Sequence, residues 1–468
     1  MSDVTMTIDG AAVATEATFD VIDPSTGAAA ATAPDCTAAQ LDAAMDSAAK
    51  AFPDWRQDES RRREGLRAAG DALMVAAEEI APILTAEQGK PLAESSMEVF
   101  GTAVWMQYYA DLEIPRETIQ DDDAAHVEVI QRPLGVVAAI TPWNFPLVLA
   151  AWKIAPALLA GNTMVLKPSP FTPRSTLKLG EVLREVLPPG VLNVVSGLDP
   201  LGAAMTRHPA PRKISFTGSV ATGKKVAAAA ADDLKRTTLE LGGNDPAIVL
   251  DDVDVGSIVE KLFWGAFQNN GQVCSAVKRV YVPETLHDEI VEGLAERARS
   301  VKVAPGTEAD AQLGPINNRP QFDRVCELVE DAVADGAAVA AGGGPLDGDG
   351  YFYAPTILAN LSDGARIVDE EQFGPALPVI SYRDVDEVVS RANATHFGLS
   401  GSVWSGDAER ATGIAERLEC GTAWVNTHLA LAPHQPFGGA KWSGIGVENG
   451  TWGLLGFSEP QVIHRAKL

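Results

Sequence analysis

Several absences narrow the field for this chain of 468 residues. Its four cysteines, Cys36, Cys274, Cys326 and Cys420, include no CxxC pair. That argues against a disulfide framework or a cysteine-based zinc site, and it suits a reducing cytoplasm. No HExxH or comparable carboxylate cluster occurs, and His428 and His434 form no metal set, so a metal is not indicated. The longest apolar stretch, 145–160, is interrupted by Lys153 and Pro156. It falls short of the roughly 18 unbroken apolar residues of a membrane span. The start, Met1-Ser2-Asp3-Val4-Thr5, has neither a basic nor an apolar leader region, so a secretory signal is not supported. Positive charge is also scarce: 37 Lys and Arg face 63 Asp and Glu, a net charge of −26. A phosphate backbone would be repelled, which argues against nucleic-acid binding. The same excess of carboxylate reads either as an ordinary well-hydrated surface or as adaptation to salt.

What is present is globular. Apolar residues make up 46% and charged residues 21%, and the length exceeds what one hydrophobic core normally serves, so two or more packed units are expected. The N-terminal part reads helical. Thr37 caps a helix carrying Leu41, Met45, Ala49 and Phe52. A second begins near Ser60, carries Leu66, Leu73, Ile80 and Leu84, and stops by Gly89-Lys90-Pro91, with Pro82 expected to bend or break it. From residue 136 onward, short apolar runs at 136–140, 164–167, 191–195, 213–216 and 247–250 alternate with stretches of helical spacing, among them an amphipathic one at 147–159. That pattern specifies an α/β protein with a parallel sheet covered on both faces. A second α/β region follows, with helices near 286–301 and 321–334 and strands near 379–381 and 403–405. Two short alternating segments, 126–130 and 461–464, fit neither region, and such strands pair with each other or with another subunit's edge.

Five places carry residue types suited to chemistry, each with a plain structural reading beside it. Phe216-Thr217-Gly218-Ser219-Val220-Ala221-Thr222-Gly223 follows a strand and opens a helix, where glycines and free N–H groups admit a pyrophosphate. Its spacing is Gly-x4-Gly instead of the dinucleotide fingerprint, and an ordinary tight turn would look the same. Lys167-Pro168-Ser169 ends a strand, where ligands of open α/β sheets bind, although a strand-end lysine is often merely solvated. Cys274 lies among small and amide residues, as a nucleophile or as a buried structural thiol. Glu240, in Leu239-Glu240-Leu241-Gly242-Gly243, is flanked by leucines, so a half-buried general base competes with a solvent-facing strand end. Asn144, in Pro142-Trp143-Asn144-Phe145-Pro146, is a neutral donor suited to an oxyanion, or part of a turn.

Taken in order, these segments, with Glu371-x-Phe373-Gly374-Pro375 and Pro436-Phe437-Gly438-Gly439, resemble the aldehyde dehydrogenase superfamily, hydrolytic and non-CoA-acylating type. The 34 positions from Glu240 to Cys274 match that family's spacing. The resemblance implies a Rossmann-like cofactor domain (1–115 and 134–241), an α/β catalytic domain (242–440) and a small β oligomerisation element (116–133 and 441–468), assembled as a homodimer or homotetramer in the cytoplasm. It implies oxidation of an aldehyde to the acid through a thiohemiacetal and a thioester on Cys274. Asn144 and the Cys274 N–H would hold the oxyanion, and Glu240 would activate the hydrolytic water. Lys167, Ser169, Phe216, Gly218, Ser219, Gly223, Glu371, Phe373 and Trp143 would bind the cofactor. NAD is favoured and NADP possible, since Pro170 stands where NAD-preferring members often carry a glutamate. Leu149, Trp152 and Leu431 would line a substrate tunnel suited to an uncharged aldehyde. Asn244 replaces a lysine common in the family. A CoA-acylating enzyme usually lacks the glutamate, and a redox-free thioesterase would leave the cofactor motifs idle.

Overall fold

The computed structural model describes residues 4–467. Two large sheets organise the chain. The first has eight strands, in the order Gly444–Ile445, Arg236–Glu240, Pro211–Thr217, Val136–Ile140, Thr163–Lys167, Leu192–Val194, Met6–Ile8 and Ala11–Val13. The five strands from Arg236–Glu240 to Leu192–Val194 are parallel, and the outer ones join antiparallel. From Val136–Ile140 the chain winds outward through Thr163–Lys167 and Leu192–Val194, then returns to lay Pro211–Thr217 on the other side. The turn of direction leaves a crevice outside the carboxyl ends of Val136–Ile140 and Pro211–Thr217, where doubly wound sheets take ligands. The second sheet has seven strands, with Val277–Pro283, Asp245–Val249 and Ser400–Trp404 parallel at its centre.

Sequence and structure differ in three instructive places. The N-terminal part is not helical from its start: two antiparallel hairpins, Met6–Ile8 with Ala11–Val13 and Thr18–Asp23 with Ala28–Pro34, precede the helix Ala38–Trp55. Their strands are short, three to seven residues, and Ala11–Val13 and Ala28–Pro34 are rich in alanine, which weakens any period-two signal. Thr37 does cap that helix, in a reciprocal capping box with Gln40. The second helix breaks at Ala76 and not at Pro82, giving Glu59–Val75 and Ala77–Gln88 with Pro82 inside the latter. Third, Pro146–Leu159 is not amphipathic in use. It is buried almost all round, against the sheet and against the helix Leu92–Asp111, and even Lys153 is fully enclosed.

The two segments that fitted neither region pair with each other. Ser458–Ala466 lies antiparallel to Ala125–Pro133, with Arg116–Asp121 as third strand. Of the tail 441–468, this strand alone joins that sheet, while Gly444–Ile445 edges the eight-stranded sheet beside Glu240. Among the described residues no helix is long and apolar enough to cross a membrane.

Candidate active site

At the crevice a cleft of about 530 Å³ opens between the two sheets. The first sheet contributes Trp143, Asn144, Leu149, Gly218 and Ser219, and the second contributes Cys274, Glu371 and Phe373. Trp143 and Phe373 meet edge to face across it, ring centroids 5.2 Å apart. Eight of the residues singled out in the sequence therefore share one wall system. Lys167, Ser169, Phe216, Gly223, Glu240, Trp152 and Leu431 are not on its surface, and each departs for a physical reason.

Phe216 and Gly223 shape the phosphate-type turn from below. Phe216 is buried with Val226, Leu239 and Leu241. A Cβ on Gly223 would sit 2.4 Å from Leu241 Cδ2, so that glycine lets the helix Val220–Ala231 pack on its strand. Ser219 caps the helix, its Oγ accepting from Thr222 N at 3.3 Å. The helix start thus faces the cleft with free N–H groups. Lys167 is buried at its strand end, Nζ donating to Pro168 O at 3.0 Å. Burial lowers its ammonium to about 8, with Asp199 and Asp35 opposing the shift. Ser169 Oγ accepts from Phe171 N at 3.3 Å. Since Pro168 O uses one ammonium proton, Lys167 keeps donors for a hydroxyl-bearing ligand. A buried cation with spare donors, a bare helix start and the Glu371 carboxylate fit a dinucleotide. Lys167, behind the cleft surface, and Ser219 and Glu371 on it are the groups that could hold it.

Cys274 stands in a turn between the helix Val255–Phe267 and the strand Val277–Pro283. Three left-handed residues in succession, Asn269 (φ 48), Asn270 (φ 59) and Gly271 (φ 72), bend the chain into it. A Cβ on Gly271 would lie 2.3 Å from Gly374 O, so no other residue fits. The paired glycines after Leu241 have the same cause. A Cβ on Gly242 would meet Glu371 Oε2 at 2.2 Å, and one on Gly243 would meet Cys274 O at 2.8 Å. Gly243 N donates to Glu371 Oε1 at 3.1 Å.

Buried amides tie this turn to the first sheet. Asn144 Nδ2 donates to Gln272 O at 2.9 Å, and Asn269 Nδ2 donates to Asn144 O at 3.1 Å. Lys90 Nζ also donates to Asn144 O, at 2.8 Å, while pairing with Glu98 at 2.6 Å. Glu98 Oε1 in turn accepts from Leu147 N. Cys274 N–H makes no hydrogen bond among the described residues. The thiol is half-buried and pushed up to about 12, chiefly by burial; Lys278 pulls it down, while Asp245, Glu240 and Glu371 push it up.

Glu240 is more enclosed than its sequence suggested. It ends Arg236–Glu240 directly behind the cleft residues Leu241 and Gly242, fully buried, with neither carboxylate oxygen hydrogen-bonded. Burial first, and Glu448 second, hold its carboxyl well above the ordinary range against the opposing Lys153. Lys153 and Glu448 form a buried pair at 2.6 Å, and Lys153 Nζ also donates to Thr217 Oγ1 at 2.8 Å. Neither residue was singled out in the sequence. The available signal was a charge inside an apolar helical run. Asn244, the departure from the family pattern, spans between elements: Nδ2 donates to Val368 O and its carbonyl accepts from Arg279 Nε. Trp152 is packed between Trp105, stacked at 5.8 Å, and Phe437, edge-on at 5.3 Å. Leu431 packs against the same core without reaching the cleft surface. Arg324, absent from the sequence reading, does line the cleft, and it pairs with Glu370 at 3.1 Å.

Comparison with known proteins agrees with this geometry. Residues 12–463 match the model of the aldehyde dehydrogenase family. A putative aldehyde dehydrogenase of Gibberella fujikuroi is 41% identical over 428 residues, 91% of each chain. The chloroplastic betaine aldehyde dehydrogenase of Atriplex hortensis is 37% identical, covering 93% of this chain and 90% of that protein. Among solved structures, the NAD+ complex of an aldehyde dehydrogenase from Bacillus cereus superposes with a TM-score of 0.97 at 34% identity, covering 99% of this chain and 97% of that one.

The buried pair behind Glu240 yields a first expected outcome. Lys153→Met removes from two enclosed carboxylates, Glu448 and Glu240, the cation that Glu448 pairs with directly. It should lower unfolding free energy by about 3–5 kcal/mol in urea denaturation. Lys153→Met combined with Glu448→Leu should recover much of that loss. Equal losses in the single and double variants would contradict the pairing.

Proposed function

This chain belongs to the aldehyde dehydrogenase family and oxidises an aldehyde to the carboxylic acid with hydride transfer to NAD(P), and from that premise we propose which of its own residues carry the reaction. The observation that carries the assignment is the meeting of Cys274, Asn144 and the helix start at 217–221 in one cleft, with the Glu240 carboxylate buried and unbonded behind its wall. Cys274 reacts as the thiolate, its proton released to solvent, and its Sγ forms the bond to the carbonyl carbon as the C=O pair moves onto oxygen. The oxyanion is received by two donors, Asn144 Nδ2 and the free Cys274 N–H. Held by Lys167, Ser219 and Glu371, NAD(P) would supply the hydride acceptor, and Cys274 Sγ would then carry the acyl group as a thioester. Glu240 takes a proton from water, the water oxygen forms the new bond to the acyl carbon, and the Cys274 thiolate leaves. No hydrogen bond holds the Glu240 oxygens back, so the side chain is free to turn toward the thioester. The raised carboxyl of Glu240 stays protonated until pH rises well above the ordinary carboxylate range, so deacylation should speed up as pH rises through its ionisation.

The finer features extend this reading. We place the cofactor unit at 1–115 and 134–241, the catalytic unit at 242–440, and the oligomerisation element at 116–133 with the tail. Support for the last comes from the exposed edge strands Arg116–Asp121 and Ser458–Ala466, which present Ile119, Val462 and Ile463 to solvent and invite pairing into a homodimer or homotetramer. The four free thiols suit a reducing cytoplasm. The substrate is an uncharged aliphatic or aromatic aldehyde, since Leu149 and the packed Trp105, Trp152 and Phe437 give the first-sheet side an apolar backing. For the cofactor, NAD is preferred. Pro170 supplies no carboxylate, but Asp199 and Asp35 act on Lys167 from nearby and would repel a 2′-phosphate.

Formation of reduced nicotinamide from a panel of aldehydes tests the assignment. Cys274→Ala should show none. Glu240→Gln should show a single burst, then turnover reduced roughly 10²–10⁴-fold, with the rise of steady-state rate with pH abolished. Undiminished steady turnover in the Gln variant removes Glu240 from its role. With NAD and NADP in parallel, kcat/KM should favour NAD. Asp199→Asn should narrow the gap by improving NADP, and an unchanged ratio would discount that carboxylate.

A further inference from the structure

Lys278 is the second residue of the strand Val277–Pro283, four positions after Cys274, and its side chain is 3% exposed. Its ammonium does not pair closely with a carboxylate. It donates instead to three carbonyls of the nucleophile's own turn: Cys274 O at 2.5 Å, Val273 O at 3.1 Å and Ala276 O at 3.4 Å. Glu371 Oε1 stands farther off, at 3.8 Å. Three carbonyl oxygens converging on one buried point would repel one another unless a cation sat among them.

The peptide plane makes this arrangement directional. In a trans peptide the N–H of Cys274 points opposite to the carbonyl of Val273. A lysine that holds Val273 O therefore aims Cys274 N–H away from itself, and that N–H has no partner among the described residues. Holding Cys274 O fixes the next peptide as well, so both sides of the reactive residue are pinned by one group. The charge matters too. Asp245, Glu240 and Glu371 all oppose ionisation of the thiol, His428 beside them is neutral and bonded to Ser275 O at 2.7 Å, and Lys278 is the cation that favours the thiolate.

We propose that Lys278 is the positioning residue of the nucleophile turn and the resident counter-ion of the Cys274 thiolate, orienting the Cys274 N–H toward the oxyanion site by gripping the carbonyls on either side. The proposal deepens the function assigned above and rests on Cys274 as nucleophile.

The test reads the thiol directly. The rate of Cys274 alkylation by iodoacetamide is measured against pH in the whole protein, with peptide mass mapping to separate Cys274 from Cys36, Cys326 and Cys420. Lys278→Met should move the profile to higher pH and slow alkylation at pH 8 about tenfold or more, tenfold being one unit of pKa. Lys278→Arg should retain a profile near that of the unaltered protein. A Met-variant profile that overlays the unaltered one overturns the proposal. Should the Met variant fail to fold, Glu371→Gln provides the second arm. Removing that carboxylate should shift the profile to lower pH, and no shift overturns the electrostatic role. These readouts are independent of turnover: activity surviving in Cys274→Ala would defeat the functional assignment and leave the alkylation result standing.

Discussion

The hydrogen bond from Asn144 Nδ2 to Gln272 O crosses the seam between the two sheets and is the constraint to which the rest of the site answers. Asn144 belongs to the loop leaving the first sheet, Gln272 to the turn that presents Cys274 from the second. The seam is held redundantly. Asn269 and Lys90 both donate to Asn144 O, and Asn317 N donates to the Gln272 side chain. All of these groups are buried, so losing a partner leaves a polar atom without water to replace it.

The same enclosure accounts for the site's electrostatics. Glu240 and Asp245 are buried and Glu371 half-buried near one thiol, and removal from water raises the carboxyl of each. Packing carboxylates together is costly unless cations answer them. Lys153 answers Glu448 behind Glu240, and Lys278 stands between Cys274 and Glu371. The Glu240 oxygens are left unbonded, which disfavours the charged form at rest and suits a base that must take a proton from water. Stability is given up where the reaction needs an unsatisfied group.

Much of this was legible in the residues. Apolar runs at 136–140 and 213–216 located the central strands because buried parallel strands carry no polar alternation. The strand-end motifs, read in order, named the cleft residues Asn144, Ser219, Cys274, Glu371 and Phe373. What escaped was what depends on the third dimension. Lys153 looked like an interruption of an apolar run and is instead an enclosed ion, and its partner Glu448 lies 295 positions away. Lys90 and Lys278 resembled ordinary charged residues, since nothing local reveals that an ammonium will find main-chain carbonyls. Trp152, drawn from the family pattern as a tunnel residue, packs behind the surface between Trp105 and Phe437, and Leu431 packs against the same core. The N-terminal hairpins escaped because their strands are short and one strand of each, alanine-rich, looks locally like helix.

The account turns on the sulfur of Cys274 carrying the acyl group at the seam. Acid quenching of the Glu240→Gln protein after mixing with aldehyde and NAD, followed by intact-mass and peptide mapping, observes that bond itself. The expected result is one acyl group per chain, on the peptide containing Cys274. An acyl group on Cys36, Cys326 or Cys420, or none while reduced nicotinamide accumulates, would contradict it.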